Sequence, residues 1–145
     1  MRRAFVGVLI IMLTVPGAGT AATGVGIQFT APAVFGVSVW HWASPGWGIE
    51  GDVFLLTIGD ELWGMVGARM LGRVAQPDPV GFYLAGGGSL YLPGRDWGLT
   101  LCGGIDLFPP FASSLGLNVE FGFMWHREAG LGMAFGFGLH YYFAR

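Results

Sequence analysis

The chain contains no lysine at all and a single cysteine, Cys102, in 145 residues. A lone cysteine excludes an internal disulfide framework and says little about redox compartment. The missing lysines belong to a wider deficit. Charged residues make up only 11% of the chain, where soluble domains carry about 25%. With 53% hydrophobic residues beside that figure, an ordinary solvated surface is excluded. Long apolar runs are absent as well. Past the N-terminus no segment reaches the roughly 18 uninterrupted apolar residues of a spanning helix, which argues against a helical membrane protein. Glycine is abundant, at 27 residues, but it shows no three-residue period, so collagen is excluded. No proline-rich or glycine-serine tract marks a linker, and the length suits one domain.

The opening segment, MRRAFVGVLIIMLTVPGAGTAATG, carries two arginines, an apolar run from Ala4 to Val15, then Pro16-Gly17 and small residues. That layout predicts a secretory signal peptide over residues 1–22, cut near Ala21 or Ala22, and one domain over 23–145. The apolar run is too short for a spanning anchor of about 20 residues. Arg2-Arg3 followed by Phe5 is a faint twin-arginine pattern without its polar lead-in, so a general secretory signal is expected. Removal of the segment leaves five arginines against nine acids, a net charge of −4. Nothing in that balance points to nucleic acid as a partner.

What recurs along the rest of the chain is alternation. Eight strands are predicted: Gly24–Thr30, Val34–Trp42, Trp47–Leu56, Leu62–Val74, Val80–Leu92, Trp97–Phe108, Leu115–His126 and Gly130–Phe143. Short connections rich in Pro, Gly, Asp or Ser separate most of them. The weakest boundary is Thr30–Val34, where Pro32 either makes a tight turn or kinks one long strand, giving eight strands or seven. Successive side chains point to opposite faces of a sheet. In the last strand Leu131, Met133, Phe135, Phe137, Leu139, Tyr141 and Phe143 share one face, and the other holds mainly glycine and alanine. The preceding strand repeats the pattern, with Leu117, Val119, Phe121 and Phe123 against Asn118, Glu120 and Gly122.

A soluble sandwich or ligand-holding barrel would point the apolar face inward and show water a face of polar residues. Here the second face is too glycine-rich to serve water, and an eight-stranded barrel is too narrow to swallow so many large residues. The inverted arrangement fits: apolar side chains toward lipid, small and polar ones toward a closed lumen. The expected fold is therefore an all-β, eight-stranded antiparallel up-and-down transmembrane barrel. The tryptophans cluster at predicted strand ends. With both chain ends on the periplasmic side, Trp40, Trp42 and Trp47 fall at one interface and Trp63, Trp97 and Trp125 at the other. Joined by Tyr141 and Phe143, they are expected to form two aromatic girdles.

On these residues the sequence resembles the small eight-stranded bacterial outer-membrane barrels, of the OmpA transmembrane domain and OmpX architecture, across nearly all of the mature chain. The C-terminal GLHYYF is similar to the assembly signal of that class, matched here by Gly138, Tyr141 and Phe143; Ala144 and Arg145 follow, where such proteins often finish on the aromatic residue. The resemblance implies a bacterial outer-membrane location, outer-membrane lipids as surroundings, and the barrel-assembly machinery as a partner in biogenesis.

Six charged side chains fall on the lumenal parity: Glu50, Asp52, Arg69, Arg73, Asp106 and Glu120. Charges in a narrow lumen must pair, because lone ones are costly in a low dielectric. Arg69 and Arg73 are expected to be shared among the four carboxylates, joined by Gln28, Asn118 and tyrosines, as a structural plug rather than an ion path. Neither a cofactor nor a metal is expected, since no His/Cys cluster has ligand spacing. A structural or interaction role follows, against two rivals: a soluble or periplasmic barrel with a hydrophobic ligand, and a lipid-modifying enzyme. The enzyme would draw on His126 or His140, on Ser89, Ser113 or Ser114, and on Glu120 or Glu128. No G-x-S-x-G elbow supports it, and the short connections argue against a large adhesive surface.

Overall fold

A computed structural model describes residues 22–31, 34–58, 60–92, 94 and 96–143. The expected signal segment and the terminal Ala144-Arg145 lie outside them, apart from Ala22. Among the described residues all the regular structure is β: β1 (Ala22–Ala31), β2 (Val34–Trp42), β3 (Trp47–Ile58), β4 (Glu61–Ala75), β5 (Val80–Leu92), β6 (Asp96–Leu107), β7 (Leu115–His126) and β8 (Gly130–Tyr142). Each strand pairs antiparallel with its chain neighbours, and β1 closes on β8, from Gly24 opposite Tyr142 to Ala31 opposite Phe135. Closure removes every free sheet edge. β1 and β2 pair antiparallel as far as Thr30 opposite Val34. The two-way reading at this boundary thus resolves to eight strands, while Pro32 itself lies outside the described residues.

Alternation makes these strands because period-two segregation can be satisfied only by a pleated sheet with unlike faces. Three of the eight, β2, β5 and β7, begin and end where the alternation predicts. The outward face carries Leu101, Phe121, Phe123, Leu131 and Met133, all exposed. Register sets these side chains beside one another: Leu101 opposite Phe123, Phe121 opposite Phe135, and Val119 opposite Phe137. Phe29 and Phe137 stack across the closing seam with ring centroids 5.1 Å apart. Such cross-strand pairs contribute about 0.2–1 kcal/mol each. The continuous outward apolar surface still needs a non-aqueous medium, since exposure to water costs about 25 cal/mol per Å².

The inward face is the reverse, burying Gln28, Ser38, Glu50, Arg69, Asp106, Asn118 and Glu120. Both described chain ends lie at one mouth, here the termini end, with the β2–β3, β4–β5 and β6–β7 connections. The remaining connections form the far end. Gly130 closes the β7–β8 connection with φ +77, a left-handed conformation that favours glycine.

Candidate functional site in the barrel lumen

The lumen is built in three layers, and Arg69 of β4 holds the middle one. Its Nε donates to Glu50 Oε2 at 2.9 Å. Its Nη1 donates to Glu120 Oε2 at 2.8 Å and its Nη2 to Glu120 Oε1 at 3.1 Å. A contact from Nη1 to Cys102 Sγ at 3.3 Å completes the guanidinium's surroundings. Around this core Ser38 Oγ donates to Glu50 Oε1 at 2.9 Å, and Tyr83 Oη to Glu120 Oε1 at 2.8 Å. Asn118 Nδ2 reaches Tyr83 Oη at 3.3 Å, and Gln28 Nε2 reaches Glu120 Oε2 at 3.5 Å. Asp52 stands 3.9 Å from Arg69 Nε as a third carboxylate. Strands β1 to β7 all send a side chain into this cluster.

β8 contributes space instead. A β-carbon on Gly138 would lie 2.1 Å from Gln28 Oε1 and 2.4 Å from Asn118 Oδ1. No side chain larger than hydrogen fits there without moving both amides. The small face of the last strand is the room in which its neighbours' polar groups meet.

The second layer fills the termini half, and it corrects the sequence reading. Trp40 and Trp42, expected in a girdle, are 0% and 2% exposed and point into the lumen. They share the parity of Ser38, and parity, not position near a strand end, decides which way a side chain faces. Trp40 packs edge-on to Tyr83 at 5.2 Å and lies 4.7 Å from the His140 ring; Phe108 and Tyr142 meet at 5.6 Å. With Leu71, Ala22 and Ala85 these rings form a continuous buried cluster. Glycine admits them: a β-carbon on Gly104 would fall 2.1 Å from the Tyr83 ring. The lumen is therefore filled by large aromatics as well as by small and polar residues.

Arg73 is the second correction. It lies outside the Arg69 cluster, at the termini rim, with its guanidinium carbon 3.9 Å from the Trp42 ring centre. There Nη1 donates to Gln76 Oε1 at 2.7 Å. Asp106 is buried on the same side of the centre, opposite Asn118 in the β6–β7 register.

The third layer is open. A cavity of about 240 Å³ occupies the far half, lined by Thr30, Asp52, Met65, Arg69, Ser89, Tyr91, Thr100, Met124, His126 and Ala129. At its rim His126 Nε2 lies 3.1 Å from Asp96 Oδ2, while Nδ1 accepts from the backbone N–H groups of Glu128 and Ala129 at 3.3 Å each. Tyr91 packs edge-on to the His126 ring at 4.9 Å and donates from its hydroxyl to Met124 Sδ at 3.3 Å.

This arrangement bears on the residues considered for catalysis. Ser89 and His126 line one cavity, but both nitrogens of His126 already have partners. His140 is enclosed by the aromatic layer. Ser113 and Ser114 sit in the β6–β7 connection at the termini end, away from His126. Among the described residues no serine hydroxyl is hydrogen-bonded to a histidine, and no group of three or more His, Cys, Asp or Glu is placed to hold a metal.

On the outer surface Trp97 and Trp125 pack together at 4.9 Å toward the far end. At the termini end Tyr141 and Phe143 meet at 5.7 Å, and Trp47 is exposed nearby on the outward parity. Trp63 is exposed too, but it continues the parity of Met65 and Arg69 and so belongs to the far rim of the lumen, not to the outward band. Gly138 faces inward beneath Gln28 and Asn118, whereas Tyr141 and Phe143 face out.

No family model matches the chain, and no curated protein matches it. Solved structures do. The N-terminal β-barrel domain of Pseudomonas aeruginosa OprF aligns with TM-score 0.63 at 9% identity, covering 85% of this chain and 96% of that one. A de novo designed transmembrane β-barrel gives 0.53 at 16% identity, covering 88% and 98%. The Yersinia pestis outer membrane protein Ail in a phospholipid bilayer nanodisc gives 0.52 at 13% identity, covering 87% and 100%. At such identities the likeness is one of fold: the chain has the architecture of the small eight-stranded transmembrane barrels. Fold does not carry function with it.

Proposed function

We propose that this protein is a small barrel of the bacterial outer membrane with a structural or interaction role, closed to solutes by its own side chains. The observation that carries the reading is the pairing of an outward apolar band with a lumen packed with side chains across its centre and its termini half. The Arg69 cluster ties seven strands together, and the aromatic layer packs the lumen beneath it. An eight-stranded barrel is narrow enough for side chains to fill it. Outer-membrane lipids then cover the outward face, with Trp47, Tyr141 and Phe143 at one interface and Trp97 and Trp125 at the other. In the same reading the signal segment directs export, both chain ends face the periplasm, and Gly138, Tyr141 and Phe143 present the assembly signal. The short far-end connections suit a compact surface rather than an adhesive one.

The test combines fractionation with electrophysiology. The protein should be recovered in outer membranes, run faster on a gel unheated than boiled, and give no stable unit conductance in planar bilayers. Recovery in soluble periplasm with no heat-dependent shift would overturn the membrane reading. Stable unit conductance would overturn the plug.

A further inference from the structure

We propose that the far-end cavity is a binding site for a small organic cation, a primary ammonium with a short apolar tail. Size comes first. At about 240 Å³ the cavity lies just below the roughly 300–1,000 Å³ of pockets that take drug-sized ligands, so its occupant is small.

The sign of its charge follows from the cavity floor. All three guanidinium nitrogens of Arg69 are engaged, by Glu50, Glu120 and Cys102. An anion entering the cavity finds no unused face there. Glu50 and Glu120 are sealed, with side chains 0% and 3% exposed, whereas Asp52 is 14% exposed and lines the cavity. Asp52 Oδ1, itself buried, receives no hydrogen bond. One guanidinium serves three carboxylates, a formal excess of two negative charges at the floor of a narrow cavity. Such an excess is costly unless a partner offsets it.

The walls select the chemistry of that partner. Met65, Met124 and the Tyr91 ring supply apolar and aromatic surface, and an aromatic ring attracts a cation within about 6 Å of its centre. Thr30, Ser89 and Thr100 bring hydroxyl oxygens that accept the remaining N–H groups of an ammonium. Among the described residues no group of three His, Cys, Asp or Glu includes Asp52, so the lining favours an organic cation over a divalent metal. Among the described far-end residues Asp60, Asp96 and Glu128 outnumber Arg127, and an excess of one sign at a cleft concentrates counter-ions. This goes beyond the plug: a barrel that conducts yet binds the cation would sink the plug alone.

The experiment titrates n-butylammonium into the folded full chain in zwitterionic micelles, with n-butanol and butyrate as probes of equal tail and different head. Binding is read by calorimetry and by chemical-shift changes at Tyr91 and Met124. Saturable binding of n-butylammonium is expected, at least about tenfold tighter than n-butanol, with butyrate excluded. Asp52→Asn should weaken it about tenfold, and Ser89→Phe should abolish it by filling the cavity while leaving the carboxylates in place. A heat-dependent gel shift verifies that each variant is folded, and either variant suffices if the other fails to fold. n-Butylammonium binding no tighter than n-butanol, or undiminished in a folded variant, overturns the proposal and assigns the offsetting charge to protons on the carboxylates.

Discussion

Arg69 and Glu120 meet across the lumen through two parallel hydrogen bonds, Nη1 to Oε2 at 2.8 Å and Nη2 to Oε1 at 3.1 Å. Bidentate pairs of this kind combine charge with fixed geometry, and Glu50 takes the guanidinium's other edge. Removing the arginine alone strands buried carboxylates, a loss of about 3–5 kcal/mol for a buried pair. Arg69→Met should lower stability by that amount in urea unfolding from lipid vesicles. The quadruple variant Glu50→Gln, Asp52→Asn, Arg69→Met, Glu120→Gln should recover most of it, because none of the cluster's charges is left unpaired. If the quadruple variant unfolds as readily as the single one, Arg69 acts through packing rather than through its ion pairs.

Much of this cluster was legible because parity assigns faces without knowledge of the fold. Asn118 and Glu120 alternate with large apolar neighbours, Glu50 and Arg69 each have one beside them in Ile49 and Met70, and all four are buried in the lumen. Depth is what parity does not give. Arg73 has the same parity as Arg69 but lies four residues further along the strand, about 13 Å at 3.3 Å per residue, which puts it over Trp42 at the rim. Trp40 and Trp42 were misread for the opposite reason: their place near a strand end outweighed their shared parity with Ser38. The far-end cavity left no trace in the sequence. It exists because Ser89, Thr100 and Thr30 are shorter than the rings that fill the other half, a difference that appears only once register sets them side by side.

The glycines of β8 offer a sharper comparison, since two on one face have different surroundings. A β-carbon on Gly138 would lie 2.1 Å from Gln28 Oε1, whereas one on Gly132 would meet nothing nearer than Met124 O at 4.0 Å. Gly138→Ala should cost about 1–3 kcal/mol, as overpacking does. Gly132→Ala should stay within about 0.5 kcal/mol of the parent. Unfolding midpoints compared side by side decide it, and equal effects would deny the crowding at Gly138.

Two layers closing one lumen predict a two-step opening. Trp40→Ala with Trp42→Ala removes rings from the termini half but leaves the Arg69 cluster across the centre. That variant should stay silent in planar bilayers. Adding Arg69→Ala, Glu50→Ala and Glu120→Ala should produce stable unit conductance, provided a heat-dependent gel shift shows that the barrel still closes. Conductance from the double tryptophan variant alone would mean that the centre does not seal.

The tryptophans separate the inward and outward surfaces in one measurement. Trp47, Trp97 and Trp125 are exposed on the outward parity, while Trp40 and Trp42 are buried in the lumen. Lipids brominated along the acyl chain quench indole fluorescence only at close contact, so the two sets should respond differently. Variants retaining one tryptophan each, with the others replaced by phenylalanine, should show strong quenching for Trp47, Trp97 and Trp125. Trp40 and Trp42 should be shielded. Trp63, on the lumenal parity at the far rim, should be quenched less than Trp97 despite its exposure, because water rather than lipid surrounds it. Strong quenching of Trp40 would place that ring among the lipids and with it remove the aromatic layer from the lumen.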